Sequence, residues 1–264
     1  LVYHGPKDLR LEEVDDVTPK PGQVKIKVKA IGICGSDVHG FLGLTGRRTP
    51  PMIMGHEFSG EVVEVTEGVK NLKVGDRVAP YPVEICGECE FCKQGKTHLC
   101  LHKKAYGVLD CNGAMAEYIC VPENIAFKLD DSVPYDIGAM IEPMAVANRG
   151  VNTAGDLKGK NVLVVGAGTI GLFILALVKM REPAHVFIAD LSDNRLAVAK
   201  KLGADVTINS GKQNPVEVIQ QHLNGDLCDV AIEAVGIAPT VQQAMSGLKL
   251  GGTAVWVGNS AKMI

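Results

Sequence analysis

From residue 23 to 31 the chain alternates, with Val24, Ile26, Val28 and Ala30 on one side and Lys25, Lys27 and Lys29 on the other. A period of two with one apolar face is the pattern of a half-buried strand in an antiparallel sheet. Pro19-Lys20-Pro21 breaks the chain before this run, and Gly32 leads out of it to Cys34. Further strands are predicted at 61–65, 77–79 and 117–121, the first two separated by a turn at Gly75-Asp76. No helix-length apolar period occurs before about residue 135, so the first half reads as mainly β. Beyond Glu142 the pattern changes. Strands predicted at 162–165, 186–189, 206–208, 230–232 and 253–257 alternate with helices at 169–181, 194–202, 216–223 and 240–248. That rhythm predicts a parallel, doubly wound sheet. The fold class is therefore α/β with two domains, 1–146 mainly β and 147–264 Rossmann-like, the change falling around 143–150. The uncharged run 162–178 approaches the length of a membrane span. Its β-branched start and Gly-x-Gly turn fit a strand followed by a buried helix instead, so no membrane partner is expected.

Composition narrows the function. Hydrophobic residues make up 46% of the 264, enough for a sizeable core. The net charge of -3 and the lack of a basic run argue against nucleic acid or an anionic membrane as partner. Leu1 opens directly in a polar, strand-like segment with no signal pattern, and without an initiator Met the chain reads as trimmed or as beginning within a longer one. The eight cysteines are unevenly placed. Close pairs without a secretory signal favour metal over disulfides and a cytoplasmic setting.

Three stretches carry chemistry. Cys86-x2-Cys89-x2-Cys92-x7-Cys100 supplies four thiolates from one lobe, residues 84–102, which suits a closed, structural tetrahedral zinc. An iron–sulfur cluster is the competitor, disfavoured because no Pro follows Cys100 and no second cysteine motif exists. Cys34, His56 and Glu57 offer a thiolate, an imidazole and a carboxylate, a donor set for a second zinc with an open position. Gly166-Ala-Gly168-Thr169-Ile170-Gly171 follows a predicted strand and opens a helix, the context of a dinucleotide pyrophosphate site. Asp190 ends the next strand, where a carboxylate accepts from both ribose hydroxyls and repels a 2′-phosphate, so NAD is preferred over NADP. Arg195 is the counter-signal. It accommodates that phosphate, or it lies along the adenine edge or pairs with Asp193. Arg47 and Arg48 read as a solvated basic loop tip, or else as a contact for a phosphate or carboxylate on a sugar-like substrate.

Taken in order, the motifs Cys34-Gly-Ser-Asp-Val-His39, Gly55-His-Glu-Phe-Ser-Gly60, the lobe at Cys86–Cys100, Val165-Gly-Ala-Gly168 and Asp190-Leu-Ser resemble the zinc-dependent medium-chain dehydrogenase/reductases over essentially the whole chain. The His-Glu pair and Glu142-Pro143 are most similar to the polyol branch, which includes sorbitol, butanediol, galactitol-phosphate and threonine dehydrogenases. The resemblance implies a GroES-like catalytic domain before an incomplete Rossmann domain, since family members continue past the position of Ile264. It implies two Zn2+ per chain and NAD, and a catalytic zinc held by Cys34, His56, Glu57 and, in some members, Glu142. The other reading of Glu142 is a helix N-terminal carboxylate stabilised by the dipole. The resemblance further implies a proton relay through Ser36 and His39, and an acid, Asp37, that orients His56. The implied substrate is a secondary alcohol of a polyol or sugar alcohol, and the implied full-length assembly is a homodimer or homotetramer. The reading from another class is a catalytically silent, zinc-stabilised NAD-binding sensor or scaffold.

Overall fold

The computed structural model describes residues 1–109 and 111–259. Its contacts divide the chain between Glu142 and Pro143 into two compact units.

In the first unit, β1 (Val2–Gly5) and β2 (Asp8–Arg10) form a small sheet that β4 (Met52–Ile53) completes. The main sheet is antiparallel in part order β6-β5-β3-β9, built from β3 (Gln23–Gly32), β5 (Glu57–Val65), β6 (Arg77–Pro80) and β9 (Tyr118–Pro122), with β10 (Ala126–Lys128) at the β6 edge. The alternation in β3 does what its period requires. Val24 and Ile26 are fully buried with Phe58, Val62 and Val121, while Lys27 and Lys29 are exposed. Two register shifts against β5 bend β3 toward its C-terminal end. That end carries the chain into a short helix, α1 (Gly35–Phe41), where the sequence pattern predicts none. The lobe holds a two-stranded ribbon, β7 (Val83–Glu84) with β8 (Lys104–Ala105), around a one-turn helix, α2 (Glu90–Lys93). A further short helix, α3 (Tyr135–Ala139), precedes α4 (Ile141–Thr153), which begins at the division between the units.

The second unit is a five-stranded parallel sheet in the order β13-β12-β11-β14-β15. Its strands are β11 (Asn161–Val165), β12 (His185–Asp190), β13 (Val206–Asn209), β14 (Cys228–Glu233) and β15 (Leu248–Trp256). The intervening helices are α5 (Thr169–Lys179), α6 (Asp193–Lys201), α7 (Pro215–His222) and α8 (Ala238–Ser246). Val162 and Val164 face one core cluster and Leu163 and Val165 the other, so β11 is buried on both faces. This is why its sequence is a continuous apolar run. The uncharged stretch 162–178 is thus β11 and most of α5, and among the described residues no helix is long and apolar enough to cross a membrane. β15 begins earlier than the predicted 253–257. Leu248, expected to end the preceding helix, opens the strand instead, and Gly251-Gly252 lie inside it, where Gly251 has φ +77° and the pairing with β14 is irregular.

Candidate active site

The three chemistry-bearing stretches meet the fold at three places. The first is built on the end of β3, on α1 and on the start of β5. Cys34 is the N-cap of α1, and the Asp37 carboxylate accepts a hydrogen bond from the Cys34 backbone N–H at 3.1 Å, closing the first turn. Gly32 pairs with Glu57 across the sheet, and a Cβ at Gly32 would fall onto the Glu57 carboxylate. The missing side chain therefore makes room for that carboxylate two residues ahead of Cys34. Gly55, at φ +95°, turns the chain so that the adjacent His56 and Glu57 both reach inward. One donor atom each from Cys34, His56 and Glu57 lie within 4.8 Å of one another, the two acidic and imidazole side chains being buried.

Charge in this cluster is tightly compensated. Burial opposes an imidazolium at His56, but Asp37 and Cys34 outweigh it and push its pKa up to about 10 in the metal-free chain. Burial likewise opposes the Asp37 carboxylate, yet His56, the Cys34 amide and Arg48 together hold its carboxyl below the usual range. His56 Nδ1 stands 3.6 Å from Asp37 Oδ1, and no hydrogen-bond partner satisfies it. A half-buried thiol, a buried imidazole and a buried carboxylate whose donor atoms converge are a fit for a divalent cation.

Glu142 is not among the atoms that meet there. It is nonetheless close enough to feel them. Burial raises its carboxyl pKa, His56 opposes the rise, and Glu57 and Asp37 add to it. Ser36 is half-buried and His39 exposed on α1. Being three apart, they share one side of the helix.

Arg48 corrects the reading of its loop. Arg47 is exposed as expected of a basic tip, but the Arg48 side chain is only 2% exposed and its Nη2 donates to Asp37 Oδ1 at 2.8 Å. It faces inward because the buried Asp37 carboxylate needs a partner. Arg48 therefore meets neither solvent nor a substrate phosphate.

The second place is the lobe. The sulfurs of Cys86, Cys89, Cys92 and Cys100 converge, with Cys86–Cys100 at 3.5 Å and Cys86–Cys92 at 4.0 Å. A tetrahedron of four sulfurs at zinc bond length has edges of about 3.8 Å. Backbone N–H groups of Cys86 and Cys89 donate to Cys100 and Cys86 sulfurs, each at 3.4 Å. Backbone donors lower the Cys89 thiol to about 6, while burial and the neighbouring sulfurs push Cys92 up to about 12. Four thiolates so close cannot all ionise without a cation, and the set fits zinc.

The third place is the C-terminal edge of the parallel sheet, where β12 and β14 flank β11 on opposite sides. This is the switch point at which such sheets bind ligands. Gly166 turns at φ +98°, and Gly168 is the N-cap of α5, with Thr169 and Ile170 beginning the helix. A Cβ on Gly171 would strike the Gly166 carbonyl, so the helix can start this close only with glycine. Asp190 Oδ2 accepts from Ala167 N at 2.7 Å and Oδ1 from Ser192 N at 2.8 Å. Arg195 stands 3.9 Å from Asp190 with an exposed side chain. Its expected pairing with Asp193 is absent, because Asn209 and Lys212 already take that carboxylate.

Several participants escaped the sequence. Arg48, Gly32 and Gly40 act through packing that no spacing announces. Burial raises the Tyr81 pKa, and the charge of Glu142 adds to the rise. Glu233 is fully buried and fixes the turn after β14 by accepting from Val235 N, Gly236 N and the Thr240 hydroxyl. An acid ending a parallel strand was the available signal for Glu233, as it was for Asp190.

A mainly antiparallel unit bearing two metal-competent donor sets, followed by a dinucleotide-type sheet, defines a zinc-dependent dehydrogenase. Residues 20–131 match the alcohol dehydrogenase GroES-like domain and residues 169–264 the zinc-binding dehydrogenase domain. The chain belongs to the zinc-binding alcohol dehydrogenase family, whose members move hydride between an alcohol and a nicotinamide cofactor. It is 38% identical to sorbitol dehydrogenase of Ovis aries over 267 residues, a match covering all of this chain and 75% of that protein. Among solved structures it is similar to galactitol-1-phosphate dehydrogenase from Escherichia coli, at TM-score 0.91 and 30% identity, covering 100% of this chain and 76% of that one. A zinc-binding dehydrogenase from Sinorhizobium meliloti 1021 bound to NADP superposes at TM-score 0.94 and 32% identity, covering 100% and 77%.

Proposed function

We propose that this chain oxidises a secondary alcohol of a polyol or sugar alcohol to the ketone, with Cys34, His56 and Glu57 holding the zinc that faces the substrate. The convergence of those three donors within 4.8 Å carries the reading. When bound there, zinc supplies a Lewis acid toward the hydroxyl being oxidised. The four cysteines leave no open position, so they hold a second, structural ion. Asp37 orients His56. Ser36 receives the substrate proton and His39, exposed on the same side of α1, passes it to solvent. A dinucleotide held on the Gly166–Gly171 turn would supply the nicotinamide that accepts hydride from the alcohol carbon. Glu142, whose carboxyl pKa is raised chiefly by burial, would be a further ligand for that zinc. The Asp190 carboxylate supports NAD as the preferred cofactor, which titration with NAD and NADP tests. The close cysteine pairs support a reducing, cytoplasmic compartment, and the full-length protein assembles as a homodimer or homotetramer, which size-exclusion chromatography checks.

A screen of NAD reduction over polyols, sugar phosphates, vicinal diols and threonine identifies the substrate. Replacing Cys34 with Ser is expected to abolish turnover while NAD binding survives. Retained activity in that variant, with zinc at this site confirmed absent, defeats the assignment.

A further inference from the structure

We infer that Arg48, seated against Gly40, is a positioning residue for the metal site, fixing the Asp37 carboxylate that in turn sets His56 and the N-cap at Cys34. This rests on the reading that Cys34, His56 and Glu57 hold zinc. The Asp37 and Arg48 side chains are each only 2% exposed, with Nη2 of Arg48 2.8 Å from Oδ1 of Asp37. The same oxygen is 3.6 Å from His56 Nδ1, and the other accepts from Cys34 N at 3.1 Å. One buried carboxylate thus touches two of the three proposed ligand residues and one cation.

A carboxylate buried as Asp37 is needs a partner, and the Arg48 guanidinium supplies a charged donor to it from a fixed, planar group. Its own bonding does not explain its burial, since its Nε has no hydrogen-bond partner.

Gly40 is the second observation. It lies in α1 with no positive φ, so its backbone does not require glycine, and inside a helix glycine costs roughly 0.5–1 kcal/mol relative to alanine. The reason is space. A Cβ there would sit 2.5 Å from Arg48 Cδ and Nη1 and 2.6 Å from Nε. The guanidinium therefore lies against the helix where a side chain is missing, on the residue three beyond Asp37.

The test is zinc content by elemental analysis and zinc affinity by chelator competition, on the whole chain and on Arg48→Met, Arg48→Lys and Gly40→Ala. Wild type is expected to hold two zincs. Arg48→Met and Gly40→Ala are expected to weaken one by about 10–100-fold, the usual range for outer partners of a metal ligand, while the four-cysteine zinc is held as in wild type. Arg48→Lys restores part of the loss. Gly40→Ala is informative because alanine favours the helix, so reduced zinc affinity without reduced thermal stability is not a folding effect. A wild-type chain with one zinc overturns the proposed site and this inference together. Two zincs in wild type with unchanged affinities in Gly40→Ala and Arg48→Met overturn the inference alone. Loss of both zincs with the fold in every variant also overturns it.

Discussion

Asp190 has a structural role, and one substitution can weigh the selective role proposed for it beside that. Its two oxygens hold Ala167 N and Ser192 N, so it ties the glycine turn to the end of β12. Its charge also stands where a ribose 2′-phosphate would lie. Asp190→Asn keeps the shape, removes the charge and leaves one acceptor oxygen. We expect NAD affinity to fall about tenfold, which is ~1.4 kcal/mol, with NADP gaining relative to NAD as Arg195 loses its partner. Fluorescence titration with both cofactors reads this, and an unchanged NAD-to-NADP ratio counts against the selective role. At this scale the sequence was legible wherever spacing alone specifies chemistry. Four cysteines within one lobe must meet, and three glycines after a strand must turn. It was blind to Arg48, because Arg47 and Arg48 are the same residue type in the same loop, and only the position of Asp37 decides which one turns inward.

Elements were legible where a period was long enough to read. β3 shows its apolar face over nine residues of sequence, and the parallel strands announce themselves as apolar runs between helical periods. The seven-residue α1 has no such period, because it is held by the Asp37 contact to Cys34 N and by Arg48 rather than by an apolar stripe. A comparable tie by a single carboxylate lies away from the site. Glu123, opening the short turn between β9 and β10, accepts through one oxygen from the N–H groups of Lys70, Asn71 and Leu72. The Asn71 N–H, helped by those of Lys70 and Leu72 and opposed by burial, holds its carboxyl below the ordinary glutamate value. A depressed folded pKa means that its stabilisation is complete above the unfolded value of about 4.3 and is lost as pH falls through the folded one. Glu123→Gln is therefore expected to cost about 1–2 kcal/mol at pH 7, with the gap from wild type closing in acid. Urea unfolding of both proteins across that pH range checks it, and a gap of constant size shows that charge is not the agent.

The whole molecule divides its stability between two different sources. Among the described residues each of the four core clusters lies inside one unit, and the second unit has one on each face of its sheet. The lobe at residues 84–102 has no comparable core. Cys100 is its only buried side chain, and the two short strands that bracket it pair over two residues each. Its order must then come largely from the metal. The nucleotide turn depends instead on β11, β12 and α5, which lie in the second unit with its apolar cores. Stripping zinc with a strong chelator is therefore expected to abolish turnover and remove amide protection from the lobe, while protection in β11 to β14 persists. NAD should still stabilise the stripped protein, by about 2.7 kcal/mol at one hundred times its dissociation constant. Hydrogen exchange on the chelated protein with and without NAD, beside calorimetry, separates the two units. If chelation abolishes NAD binding as well as lobe protection, the nucleotide site depends on the metal and the division fails. If the lobe keeps its protection without zinc, its order comes from packing and the four cysteines are not its main support.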